Sequence, residues 1–171
     1  MKGYVQIYTG NGKGKTTAAL GLALRAAGAG LNVYIGQFIK GMHYSELDSL
    51  QRYSDLIQIE QFGRDCFIHN NPSEEDYQLA QNGFNQMKDI IDSGKYQLVI
   101  LDEISIATIY KLIPVQEVLK LIENKPENVE IVLTGRSMDS RIMEAANLVT
   151  EMTEVKHYFQ EGVQARQGIE K

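Results

Sequence analysis

Tyr4-Val5-Gln6-Ile7-Tyr8-Thr9-Gly10-Asn11-Gly12-Lys13-Gly14-Lys15-Thr16-Thr17 decides how this chain folds. An alternating apolar run, Val5 to Tyr8, enters a loop of three glycines and two lysines. A small-residue helix follows at once through Ala18-Ala19-Leu20-Gly21-Leu22-Ala23-Leu24-Arg25. Strand, Gly-Lys-Thr and helix in that order make a phosphate-binding loop. Glycines let the backbone curl until successive N–H groups converge on an anion. The helix that follows adds the positive end of its dipole. Gly10, Asn11, Gly12, Lys13, Gly14, Lys15, Thr16 and Thr17 are thus the candidate nucleotide-binding residues. Lys15 is expected to reach the outer phosphates and the Thr16 hydroxyl to ligate magnesium. The loop is one residue shorter than the usual pattern, with Thr9 where the first glycine stands.

Outward from this loop the chain reads as alternating strands and helices. The first helix is predicted from near Lys15 to Ala29, with Gly28 and Gly30 at its end. Asn32 to Phe38 is a second strand, so the first three elements form a βαβ unit and imply a parallel sheet. Ile39 to Tyr44 leaves that strand's carboxyl end, the edge where ligands sit in open α/β sheets. Lys40 and His43 are there as pocket or surface residues. Ser45 to Ser54 is a predicted helix and Ile57 to Glu60 a half-buried strand. Phe62 to Pro72 is irregular, with Phe62 and Phe67 available to pack on the core. Ser73, followed by Glu74, Glu75 and Asp76, caps a helix that runs to Asp92.

Tyr96-Gln97-Leu98-Val99-Ile100-Leu101-Asp102-Glu103 is the second informative stretch. An apolar strand ending in paired carboxylates is the metal-side partner of a phosphate loop. Thr16, Asp102 and Glu103 are therefore the candidate metal ligands. The residues alone do not divide the roles between the two acids. Helices are predicted over Ile104 to Ile113 and Val115 to Glu123, and a strand over Val129 to Thr134. Arg136 follows that strand on the ligand edge, placed to contact phosphate or ribose. A further helix ends near Ala146, and a strand covers Leu148 to Met152. A polar tail completes the chain.

The 171 residues suit one domain, 1–171, with a real core. A net charge of −5 argues against a nucleic-acid coat, which shows a basic surface. The lone Cys66 excludes a disulfide framework and a cysteine zinc cluster. No charged-then-apolar leader opens the sequence, and no apolar run is long enough to cross a bilayer, so a cytoplasmic location without membrane contact is expected.

Taken together, these pieces resemble the phosphate-loop corrinoid adenosyltransferases of the cob(I)alamin type. The resemblance rests on Thr9 to Ala19, Gln37-Phe38-Ile39-Lys40-Gly41, Leu101-Asp102-Glu103, Thr134-Gly135-Arg136, Lys156-His157, Gly162-Val163 and Gly168-Ile169. These landmarks span nearly the whole chain in family order, and the shortened loop is itself a family trait. The resemblance implies a RecA-like P-loop α/β fold with a mainly parallel central sheet flanked by helices. It implies a homodimer, a flavoprotein electron donor, and magnesium or manganese. It also implies transfer of the 5′-deoxyadenosyl group from ATP to the reduced cobalt of a corrinoid such as cobalamin or its a,c-diamide precursor. By the same resemblance, triphosphate is expected to leave in one piece. Lys15, Thr16 and Glu103 are the expected catalytic residues. The loop around Phe67 resembles a region that keeps the corrinoid's lower ligand off cobalt. Members with a leading segment use it to close the site. Only Met1-Lys2-Gly3 precede the first strand here, so closure is expected from elsewhere. No general base is required, and no His–carboxylate pair stands out in the sequence.

Two rivals share the fold. A thymidine-kinase-like enzyme would make ADP and a phosphorylated acceptor. A P-loop ATPase switch would make ADP slowly, coupled to a partner.

Overall fold

The computed structural model describes residues 1–65 and 71–171. Six strands, β1 (Val5–Thr9), β2 (Val33–Phe38), β3 (Ile57–Phe62), β4 (Leu98–Asp102), β5 (Glu130–Thr134) and β6 (Leu148–Glu151), form one sheet in the order β3-β2-β4-β5-β1-β6. Every pairing is parallel, as the βαβ reading requires. Parallel strands are covered on both faces, so inner strands read as continuous apolar runs. The buried Leu98-Val99-Ile100-Leu101 run of β4 is the clearest case.

The pleat sorts these residues onto two cores. Val33, Ile35, Leu98, Ile100 and Val132 face one side of the sheet, under α1 (Lys15–Gly28). Helix α1 presents Ala19, Ala23, Ala26 and Ala27 inward, and these small side chains let it lie close to the strands. Tyr34, Phe38, Val99, Leu101, Ile131 and Leu133 face the other side. There they meet Phe84, Met87 and Ile91 of a long helix, Glu74–Asp92, and Ile104, Val118 and Ile142 from later helices.

Helices α2 (Ser45–Leu50), α3 (Glu74–Asp92), α4 (Ile104–Ile109), α5 (Val115–Glu123) and α6 (Ser140–Ala145) complete the fold. Two predicted helices are shorter than expected. The α2 helix gives way to a 3₁₀ turn at Gln51–Tyr53. The α4 helix stops at Ile109 because Lys111 adopts φ 57°, which folds the amides of Leu112 and Ile113 back onto the Ala107 carbonyl. Among the described residues no helix is long and apolar enough to cross a membrane.

Helix α3 is held close to β3. A Cβ on Gly83 would lie 2.2 Å from Phe62 Cγ, and the Phe62 ring is itself packed on Phe38 with centroids 5.4 Å apart. Gly83→Ala should therefore destabilise the fold by about 1–3 kcal/mol through overpacking. A lowered urea midpoint would show it, and an unchanged midpoint would mean the contact can relax.

The first turn of α3 is closed by a capping box. The Asp76 amide donates to Ser73 Oγ (3.2 Å) and the Ser73 amide to Asp76 Oδ2 (2.8 Å). Arg64 adds a two-pronged pair, Nε to Oδ1 at 2.7 Å and Nη2 to Oδ2 at 2.8 Å. The Arg64 guanidinium, helped by Ser73, pulls the Asp76 carboxyl down to about 2. A carboxyl depressed in the folded state stabilises the fold above its ordinary value, and that contribution is lost as pH falls through the folded value. The urea midpoint should thus fall between about pH 4 and about pH 2. In Asp76→Asn the midpoint should be lower at neutral pH, and this part of the acid dependence should be gone.

Candidate active site

The loop between β1 and α1 is built from its glycines. Gly10 (φ 97°) and Gly14 (φ 117°) both occupy the left-handed region that other residues avoid. The loop is stitched to the end of β6. The Gly12 amide donates to the Met152 carbonyl at 2.7 Å, and the Met152 amide donates to the Thr9 carbonyl at 2.8 Å. Side chains would not fit there, since a Cβ on Gly10 or Gly12 would lie 2.5 or 2.7 Å from the Met152 oxygen. Gly14 caps α1 without any side-chain acceptor, and the first turn carries no acid. Helix α3 differs on both counts, with a capping box and three acids. The leading amides of α1 thus keep the positive character that an anion would meet.

Lys15 is buried and arches across this loop, its ammonium donating to the carbonyls of Gly10 and Gly12 at 2.8 Å each. Burial draws its pKa below the ordinary lysine value, with the nearby Glu103 charge acting in the opposite direction. Asn11 and Thr17 are exposed. Lys13 points to the tail, where its ammonium meets Glu170 Oε1 at 2.7 Å and the Tyr158 hydroxyl at 3.0 Å. A cleft of about 330 Å³ runs beside the loop, lined by Gly12, Lys13 and residues 153–158.

Asp102 sits at the centre of the carboxyl edge, 1% exposed. Its Oδ1 accepts from the hydroxyls of Thr16 (2.9 Å) and Thr134 (2.7 Å). Its Oδ2 accepts from Lys40 Nζ (2.8 Å) and Gln37 Nε2 (3.2 Å). Four donors, one of them the Lys40 ammonium, satisfy the oxygens of this buried side chain. Strand register supplies part of this, because Gln37 stands opposite Asp102 across the β2–β4 pair. Burial acts to lower the Lys40 pKa, but the charge and hydrogen bond of Asp102 outweigh it and raise it.

Glu103 follows in a left-handed conformation (φ 59°), its amide donating to Thr134 Oγ1 at 2.9 Å. Burial and the Asp102 charge push its carboxyl above the usual range, against the pull of Lys40, Lys15 and Arg136. Arg136 is exposed just past β5. Its turn is pinned from behind. The Ser105 hydroxyl donates to the Arg136 carbonyl at 2.6 Å, and a Cβ on Gly135 would lie 2.0 Å from Ser105 Oγ.

The expected residues therefore meet as two groups. Thr16 and Asp102 are in direct contact, with Glu103 beside them, while Lys15 is held by its own loop. Phe67 lies outside the described residues. The sequence reading missed three contacts. Lys40 was placed near the site without its partner Asp102. The tail's grip on Lys13 joins residues too far apart in sequence for spacing to reveal. His43 Nε2 and Asp48 Oδ2 stand 2.9 Å apart, a His–carboxylate pair the sequence did not suggest. Both of its side chains are about two-thirds exposed, at 66% and 67%, which marks a surface pair.

A glycine loop on the first strand, a Lys-Thr pair opening the next helix, and that threonine's hydroxyl on an acid closing another parallel strand of the same sheet define a phosphate-loop nucleotide-binding α/β protein. The family described as ATP:corrinoid adenosyltransferase BtuR/CobO/CobP matches residues 1–170. The chain belongs to this family. A corrinoid adenosyltransferase of a Sinorhizobium species is 36% identical over 172 residues, 99% of this chain and 80% of the relative. One of Escherichia coli strain K12 is 34% identical over 170 residues, covering 99% and 86%. The corrinoid adenosyltransferase CobA of Salmonella typhimurium is 34% identical over 172 residues, again covering 99% and 86%. The fold and the activity implied by the resemblance are both borne out. The protein is a transferase acting on ATP and a corrinoid.

Proposed function

We propose that the glycine loop and the Thr16–Asp102 edge hold the triphosphate of ATP while cobalt(I) of a bound corrinoid attacks the ribose 5′ carbon. A cobalt–carbon bond forms from the cobalt electron pair. The bond from the 5′ carbon to oxygen breaks, and the electron pair leaves with triphosphate. Cobalt(I) is already a strong nucleophile, so the protein need not activate one. What the chain must supply is alignment and charge stabilisation on the departing tail. The observation that carries this reading is the Thr16 hydroxyl 2.9 Å from Asp102 Oδ1 at the mouth of the glycine loop.

Loop amides and the Lys15 ammonium act on the triphosphate, with Arg136 at the outer edge. Among the described residues no three His, Cys, Asp or Glu side chains converge as a metal cluster. Magnesium does not need one, since it binds through one or two carboxylates, with waters and substrate phosphates. The oxygen donors of Thr16, Asp102 and Glu103 fit that pattern, and manganese suits the same donors. Bound there, the ion would neutralise charge on the triphosphate. Phe67 at the corrinoid's lower face, a homodimer, a flavoprotein electron donor and a cytoplasmic location belong to the same reading, supported by family membership.

The test supplies ATP, magnesium, a reductant and a corrinoid, and identifies the phosphate product. Triphosphate is expected, together with an adenosylated corrinoid. ADP formed only with a nucleoside acceptor would replace this reading with a kinase. ADP formed with neither would replace it with an ATPase switch.

A further inference from the structure

Lys40 is built into the carboxyl edge with unusual care. Ile39 before it adopts φ 59°, a costly conformation for a β-branched residue. The surrounding backbone enforces that turn. A Cβ on Gly41 would lie 2.2 Å from the Gly63 carbonyl, and one on Gly63 would lie 2.6 Å from the Ile39 carbonyl carbon. The Ile39 amide donates to the Phe62 carbonyl at 3.1 Å, and Gln61 Nε2 to the Met42 carbonyl at 3.1 Å. The side chain that this turn aims is only 14% exposed. Its ammonium meets Asp102 Oδ2 at 2.8 Å, passes 5.2 Å from the Tyr44 ring centroid and lies 3.9 Å from Glu46.

The two oxygens of Asp102 thus face different partners. Oδ1 takes the threonine hydroxyls, and Oδ2 takes the ammonium. A divalent cation gathered by Thr16 and Asp102 would bring a second positive charge to a carboxylate whose charge Lys40 already balances. We propose that Lys40 is the displaceable counter-ion of Asp102. A divalent cation at Asp102 drives the ammonium off, and the freed ammonium then pairs with the incoming phosphate chain. Lys40 thereby couples cation binding to triphosphate binding. The inference rests on the reading that Thr16 and Asp102 hold a cation, and it adds a residue and a direction to it.

The test uses the full chain with manganese, counted as free ion by its electron spin resonance, and with inorganic tripolyphosphate. Lys40→Gln should bind manganese alone about fivefold or more tightly than the unaltered chain. It should bind tripolyphosphate in the presence of manganese about fivefold or more weakly. Lys40→Arg, which keeps the charge, should follow the unaltered chain for manganese alone. A second measurement needs no variant to fold. In the unaltered chain labelled with ¹³C at lysine Cε, magnesium alone should shift the Lys40 resonance. Manganese affinity unchanged or weakened in Lys40→Gln, or a Lys40 resonance indifferent to magnesium, overturns the proposal. If the unaltered chain binds no manganese at all, the cation reading falls with it, and the two failures are thereby told apart.

Discussion

Asp102→Asn is expected to cost about 3 kcal/mol of stability, the lower end of what losing one partner of a buried ion pair costs. The amide can turn its NH₂ toward the hydroxyls of Thr16 and Thr134, which are able to accept. Its oxygen can stay with Gln37 and Lys40, so the hydrogen bonds need not be lost. The charge is lost whatever the rotamer. Lys40 is then left near-buried with Glu46 at 3.9 Å and the weaker influence of Glu103 as its acidic neighbours among the described residues. The variant should carry a signature in pH. In the unaltered chain Asp102 outweighs burial and raises the Lys40 pKa. Without that charge burial dominates and the pKa falls below the ordinary value. The unfolded chain then binds more protons than the folded one, so stability rises with pH. The deficit in urea midpoint should therefore shrink from neutral pH toward about pH 10, the ordinary lysine range. A deficit independent of pH would mean that Lys40 is not the group left stranded.

Lys15→Ala should lower turnover by about 100- to 1,000-fold, the usual loss when one preorganised donor to developing charge is removed. Its effect on folding should be small by comparison. The carbonyls of Gly10 and Gly12 lose their donor, but truncating the Lys15 side chain leaves space among polar groups in which water can replace it. The stitching of the loop to Met152 and the Thr16–Asp102 contact do not involve this side chain. Triphosphate release in the presence of reduced corrinoid is the measurement. A loss below about tenfold would leave the work to the loop amides and to the other cations of the edge.

The sheet was legible in the sequence because each inner strand announces itself. The β4 run of Leu98 to Leu101 is apolar on both faces, and only a strand covered on both sides tolerates that. The glycine loop was legible because its spacing answers a backbone need, and Gly10 and Gly14 do adopt the left-handed conformations it requires. The length of α4 was not, because the fold-back at Lys111 depends on packing of Leu112 and Ile113 into the core rather than on a local glycine. The partner of Lys40 was hidden for a different reason. Gln37 and Asp102 become neighbours only when β2 pairs with β4, and strand order is not written in any single motif. The tail read as polar and idle, since the grip of Tyr158 and Glu170 on Lys13 is a contact between opposite ends of the chain.

That last contact bears on the order in which the molecule comes into being. The glycine loop is made before five of the six strands. The strand carrying it pairs with β5 and β6, the last two of the six to be made. The acid that takes hold of its lysine lies 157 residues further along the chain. A nascent chain therefore carries its phosphate cradle unseated until β5, β6 and Glu170 have all been made.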